Sequence, residues 1–165
     1  MSKHLLQPAG NFPKAGVWKR LAAICYDFKL CIALIMVITM LYQQGILRLI
    51  YGAEALQAMA DSKMLDIDPV LSTLLFFSVF AFFAKFWTHG GQTLGMQVWG
   101  IRIQNADGSA IDIWQALLRF LIAIFALLPA GLGFWWMLFD KQKRTWSDMY
   151  SGSDVVQLPK NIHKK

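Results

Sequence analysis

Charge is what this sequence has least of. Of its 165 residues only 16% are Asp, Glu, Lys or Arg, against 56% hydrophobic, where soluble domains average roughly 25% charged. A chain so poor in charge cannot cover a water-facing globule, and its composition points to lipid as the solvent. Histidine is scarce too. His4, His89 and His163 are scattered without metal-ligand spacing, so no metal is expected and they read as loop or tail residues. The two cysteines, Cys25 and Cys31, lie six apart on different faces of one apolar helix and cannot bridge without breaking it. They imply neither an oxidising compartment nor a metal. No Ser, His and Asp or Cys and His grouping suits nucleophilic catalysis. The glycines of GGQTLGM (90–96) lack the Gly-Lys-Ser/Thr ending of a phosphate loop and follow a membrane helix, so they read as a turn. Neither an enzyme nor a cofactor is expected. No cleavable signal is visible, because some 20 polar or mixed residues precede the first apolar run, and there is no internal repeat.

What is present is a set of long apolar runs. Three stretches, about Leu21 to Tyr42, Val70 to Trp87 and Leu117 to Phe139, reach spanning length, a helix needing about 20 residues to cross the hydrocarbon. In the first, ten Leu, Ile, Val or Phe residues favour insertion by about 3 to 6 kcal/mol, and Asp27 and Lys29 each oppose it by up to about 3 kcal/mol. Insertion then relies on Asp27 lying near the helix start and on pairing or wetting within a bundle. The second stretch holds only Lys85, near enough to its end to snorkel. The third has Arg119 at its entrance and is broken at Pro129 to Gly133, giving either one kinked crossing or a short hairpin. Trp18, Trp87, Trp114, Trp135, Trp136 and Trp146 cluster near the ends of these runs as interfacial anchors do.

Between the first two stretches, Ile46 to Asp68 carries Glu54, Asp61, Asp66 and Asp68 against Arg48 and Lys63, a polar loop with room for one amphipathic helix. Between the second and third, GIRIQNADGSAIDI (100–113) alternates around Asp107-Gly108 and predicts a short β-hairpin outside the hydrocarbon. The fold expected is an all-α small polytopic helical bundle with that hairpin, one domain over 1–165, its core at about 12–156 and flexible tails at 1–11 and 157–165.

The 16 basic residues outnumber the 10 acidic ones, for a net charge of +6, and they sit mostly in two tails, Lys3 to Arg20 and Lys141 to Lys165. That placement marks topology, not nucleic-acid binding. The amino tail is basic and the first loop acidic, so the amino terminus is expected in the cytoplasm, and the carboxyl tail has the same bias. Three simple crossings would separate the tails, whereas a third stretch that enters and returns at its break would not.

Arg20 and Asp27 are seven residues apart and share a helix face, with Asp27 about 10 Å deeper. An intramembrane carboxylate must be neutral, paired or wetted. Arg20, Lys85 and Arg119 are its candidate partners, and the readings are a structural ion pair or a cation or proton site.

The segments KRLAAICYDFKL, GGQTLGMQVWGIRIQNADGSAI, ALLRF and LFDKQKRTWSDMYSGSDVV occur in an order that resembles the RDD family of bacterial membrane proteins, over about Phe12 to Val156. The arginine and two aspartates that name that family correspond to Arg20, Asp27 and Asp148. Family members often carry Leu or His beside the last aspartate and Thr where this chain has Ser153-Asp154, a departure that affects the local turn. The resemblance implies a multi-pass protein of the bacterial inner membrane, concerned with transport of ions or small ligands, including cation and proton exchange. Arg20, Asp27 and Asp148 would be its ion-binding or coupling residues, with Lys85 and Arg119 as supporting charges. The expected partners are the lipid bilayer, a monovalent cation or proton, and further copies of the chain as a homo-oligomer. The alternative is a non-transporting membrane scaffold or accessory protein held by a structural Arg/Asp network.

Overall fold

The computed structural model describes residues 5–62, 68–128 and 131–159. Two helical stretches are long and apolar enough to cross a membrane, Val17–Tyr51 and Pro69–His89. The first is α1 (Val17–Met40), a π-helical stretch (Leu41–Leu47) and α2 (Arg48–Tyr51) in continuous succession; α3 is Ala53–Asp61 and α4 is Pro69–His89. Both outrun the lengths read from sequence. Neither long stretch hides its apolar side chains: only 11% and 17% of their most apolar windows are buried, and Met36, Val37, Val70 and Phe77 are more than half exposed. In water each exposed Å² of this kind would cost about 25 cal/mol. In hydrocarbon it costs little, while the helix satisfies its own backbone.

The remaining elements are α5 (Leu94–Val98), β1 (Ile101–Gln104), α6 (Ile113–Leu127), α7 (Leu132–Trp135), a 3₁₀ turn (Trp136–Leu138), α8 (Trp146–Ser151) and β2 (Asp154–Gln157). The chain divides into two compact units, Phe28–Ala81 and a second made of residues up to Asp27 together with Phe82 onward.

In the Phe28–Ala81 unit, Tyr42, Leu47, Leu56 and Leu71 form a small apolar cluster against which Leu75 packs. The Tyr42 hydroxyl donates to Asp68 Oδ2 at 2.9 Å. Asp68 Oδ1 accepts from the amides of Val70 and Leu71 at 2.8 and 3.2 Å, so one carboxylate caps α4 and holds the preceding helix. Pro69 occupies the first turn of α4, where its missing N–H costs nothing. The polar loop does hold a short helix, α3, while Lys63 and Asp66 lie outside the described residues.

In the other unit the strands correct the hairpin expected at 100–113. The turn forms, with the Asn105 amide donating to the Ser109 carbonyl, but β1 pairs antiparallel with β2, in the register Ile101 to Gln157 and Gln104 to Asp154. The sequence after the turn is taken up elsewhere, because Asp112 caps α6 in a reciprocal capping box with Gln115. β2 is joined on its other edge by the segment before α1: Ala15 N donates to Val155 O and Gln157 N to Pro13 O, and Lys14 pairs with Asp154. Residues 5–11, read as a loose tail, run beside β1 together with Phe12. Leu6 is buried, its amide donates to Gly108 O, and Arg102 donates to the Pro8 carbonyl and lies over the Phe12 ring. The segments that precede α1, follow α4 and end the described chain therefore meet in one place. Lys3, His4, Lys160, His163, Lys164 and Lys165 lie outside the described residues.

The third apolar stretch is interrupted, and its leading helix is shorter than a span: α6 ends at Leu127 and α7 begins at Leu132 after Gly131, whose φ of 75° is left-handed. Pro129 lies outside the described residues. The start of α6 is tied to α8 by Gln115 Nε2 donating to Ser151 O at 3.0 Å. Past the break, Gly133 lies so close to Ala126 that a Cβ there would collide with it and would lie 2.8 Å from Trp146 Cε3. Trp18, Trp114, Trp135 and Trp136 are exposed as anchors should be, but Trp87 is buried, because α4 turns it inward. Gly133→Val should overpack this contact and cost about 1 to 3 kcal/mol. The expected result is a lowered thermal midpoint in detergent with unchanged helical circular dichroism; a wild-type midpoint would show that the packing is looser than described.

Candidate functional site

The buried residues of α1 are Arg20, Ala23 and Asp27, spaced three and four apart as one face of a helix requires. They serve two separate clusters on that face, one around Asp148 and one around Asp27.

Asp148 is 1% exposed and sits at the third position of α8. Thr145 caps that helix, its hydroxyl accepting from the Asp148 amide while Asp148 Oδ2 accepts from the Thr145 amide at 3.0 Å. The same carboxylate accepts from Arg20 Nη1 through Oδ2 and from Arg119 Nη2 through Oδ1, each at 2.5 Å. Arg20 is further held by carbonyls: Nε donates to Ala15 O at 3.2 Å, and Nη2 to Lys143 O at 3.3 Å and Val155 O at 3.2 Å. Lys143 presents its carbonyl from a left-handed backbone (φ 54°), uncommon outside glycine. Arg119 Nη1 donates to Ser153 Oγ at 2.8 Å, and its guanidinium lies 5.8 Å from the Trp87 ring centroid. Burial by itself raises the Asp148 carboxyl; the charges of Arg119 and Arg20 and the Thr145 amide outweigh it and hold it at about 2.

Asp27, 5% exposed, has different company. Its Oδ2 accepts from the Thr93 hydroxyl at 2.5 Å and its Oδ1 from the Gly95 amide at 2.9 Å. Thr93 is the N-cap of α5, accepting from Met96 N, so Asp27 docks the start of α5 on α1. The approach is close: a Cβ at Gly95 would lie 2.5 Å from Ala23 O and 2.8 Å from Asp27 Oδ1. Only glycine fits there.

The structure thus brings Arg20 and Asp148 together, adds Arg119 as a second cation, and leaves Asp27 outside that group. None of the partners expected for Asp27 is its partner: Arg20 and Arg119 turn to Asp148, and Lys85 is exposed. Sharing a helix face did not join Arg20 to Asp27, because two turns put them about 10 Å apart along the axis. Thr93, Gly95, Thr145 and Ser153 were not singled out from sequence. Thr93 and Thr145 each precede a short helical run, which is a capping signal; the Gly95 approach had none. Among the described residues, no three of His, Cys, Asp and Glu are grouped as metal ligands would be.

The depressed Asp148 carboxyl fixes the direction of one pH effect. Its stabilising contribution is complete above its ordinary value of 3.8 and is lost as pH falls through about 2. Asp148→Asn leaves two buried guanidinium groups without their counter-charge, a loss of about 3 to 5 kcal/mol. The difference in unfolding free energy between wild type and this variant should be full near neutral pH and shrink between about pH 4 and pH 2. A pH-independent difference would show that the charge of Asp148 is not what holds the cluster.

No curated protein and no solved structure matches the chain. The sequence model of the RDD family matches residues 14–152, which include Arg20, Asp27, Arg119 and Asp148. With its two apolar span-length helices, the chain belongs to the RDD family and is a membrane-type protein.

Proposed function

We propose that this protein moves a proton or monovalent cation across the bacterial inner membrane, without enzymatic activity, and that Asp27 is the group on which coupling depends. The observation that carries this reading is the company Asp27 keeps. It is a buried acid in the first span-length helix, bound by two neutral donors and, among the described residues, by no cation. Asp148, by contrast, is paired with two guanidinium groups whose charge outweighs its own. Protonation of Asp27 would remove acceptor capacity from the contact that docks α5 on α1, so occupancy by a proton and the position of α5 are linked. Arg20, Arg119 and Asp148 then act as the fixed frame beside it.

In this reading the amino terminus is cytoplasmic and the third apolar stretch enters and returns. Its support is the hydrogen bonding of residues 13–15 to β2, together with the basic character of both tails. So few spans make half of an alternating-access machine, and a homo-oligomer would supply the other half. The scaffold reading has its own support in the closed Arg20, Asp148 and Arg119 cluster, since buried charge networks can specify an arrangement.

Proteoliposomes carrying purified protein should show pH-dependent cation flux that Asp27→Asn abolishes and Asp27→Glu retains in part. The asparagine keeps one acceptor for Thr93 or Gly95, so insertion and folding should survive. Should the wild type conduct no cation at any pH while Asp27→Asn only lowers thermal stability, the scaffold reading replaces this one. Reporter fusions after Val156 should read cytoplasmic; a periplasmic readout would leave a single kinked crossing in place of the returning segment.

A further inference from the structure

Beside the Asp148 cluster, a cavity of about 570 Å³ lies among α1, α4, α6 and α7, within the range of roughly 300 to 1,000 Å³ usual for small-molecule sites. Its walls are apolar, built from Leu21, Ile24, Phe83, Phe120 and Phe134. Its polar groups are the side chains of Trp87, Thr145 and Ser147, which also line a smaller neighbouring cavity of about 130 Å³ together with Arg20 and Arg119. Ile124 and Trp135 line the large cavity and are 39% and 41% exposed, so it communicates with the apolar exterior of the helices.

Two features of the polar end ask for an acceptor. Trp87 is 94% buried, being 6% exposed, yet its indole Nε1 has no hydrogen-bond partner among the described residues. A buried donor is seldom left unmade, and tryptophan can only donate. The charge beside it is also unbalanced, since two guanidinium groups face one carboxylate, a formal excess of one positive charge. The polar end lies at the start of α1 and the close of α4, two ends of the span-length helices, and the apolar walls extend from it.

We propose that this cavity binds a single-chain anionic amphiphile, with its acidic head at the Trp87 indole and the Arg20 and Arg119 side, and its acyl chain along the Leu21, Phe83 and Phe120 walls. Volume selects one chain. At roughly 30 Å³ for a water-sized group, the cavity accommodates on the order of twenty methylene-sized groups, one long acyl chain and not two. Carboxylate and phosphate heads share the chemistry the site requires: negative charge and acceptor oxygens for an N–H donor. Binding here is independent of any ion coupling at Asp27, which is not among the residues lining either cavity.

The test uses the full chain in nanodiscs of zwitterionic phospholipid, titrated with radiolabelled oleate. Wild type should take up one equivalent saturably, and oleyl alcohol, which keeps the chain but lacks the charge, should compete at least tenfold less well. Trp87→Phe keeps the ring and removes the N–H, and should weaken oleate roughly two- to tenfold, the loss of one hydrogen bond. Ala123→Phe, at a position lining both cavities, should fill the space and abolish uptake. Should that variant fail to fold, Trp87→Phe and the alcohol competition decide. Equal binding of oleate and oleyl alcohol, wild-type affinity in Trp87→Phe, or non-saturable uptake would each overturn the site. Dioleoyl phosphatidylglycerol competing as well as oleate would overturn the single-chain assignment.

Discussion

The unit that contains both ends of the chain depends on one carboxylate having two arginines. Asp148 is stripped of water, and removing a charge from water costs several kcal/mol unless opposite charge and hydrogen bonds replace the lost hydration. Arg20 from α1, Arg119 from α6 and the Thr145 amide from its own helix supply them. Each partner is in turn anchored, Arg20 by carbonyls of the segment before α1 and of β2, and Arg119 by Ser153. Elements far apart in sequence are therefore fixed by a single side chain, since removing Asp148 leaves both guanidinium groups buried without a counter-charge. The β1 and β2 pair, with the segment before α1 along its edge, closes over the same cluster.

Asp27 shows the other way an acid can live in an apolar helix. Its two oxygens are met by a hydroxyl and a backbone amide at the start of α5, so its negative charge is solvated by dipoles instead of cations. No cation shares in that solvation among the described residues, in contrast to Asp148. The requirement for glycine at position 95 follows from the same contact, because the amide can reach the carboxylate only if no Cβ stands between the helices. The two aspartates are thus not interchangeable. Asp148 ties three elements together through two arginines, and Asp27 docks the start of α5 on α1 through a hydroxyl and an amide.

Much of the secondary structure was legible in the sequence. Long apolar runs poor in charge and free of proline forecast α1 and α4, and helices in lipid are stabilised by their own backbone bonds, so little tertiary information is needed. The break in the third stretch was legible for the same local reason, and the alignment of Arg20 with Asp27 follows from the helical period. The β-hairpin was not. Alternation around Asp107-Gly108 signals a turn with equal force whether the next strand is four residues away or fifty, and here Asp112 turned the chain into α6 while residues 154–157 supplied the strand. Trp87 likewise carried the signal of an interfacial anchor but faces inward, since composition near a helix end does not report which side is turned to a neighbour.

What the sequence by itself determined is the apolar composition, two of the three expected span-length helices and, through the helical period, the shared face of Arg20 and Asp27, whereas Asp148 was singled out by the resemblance to the RDD family. Which charge meets which was decided only in three dimensions. Arg20 lay nearer Asp27 along the chain and on the same face, yet it reaches Asp148, 128 residues away, because two helical turns separate the first pair while tertiary contacts bring the second to 2.5 Å. Ionic pairing falls off with distance and rewards desolvation, and neither quantity exists until helices from distant parts of the chain have packed.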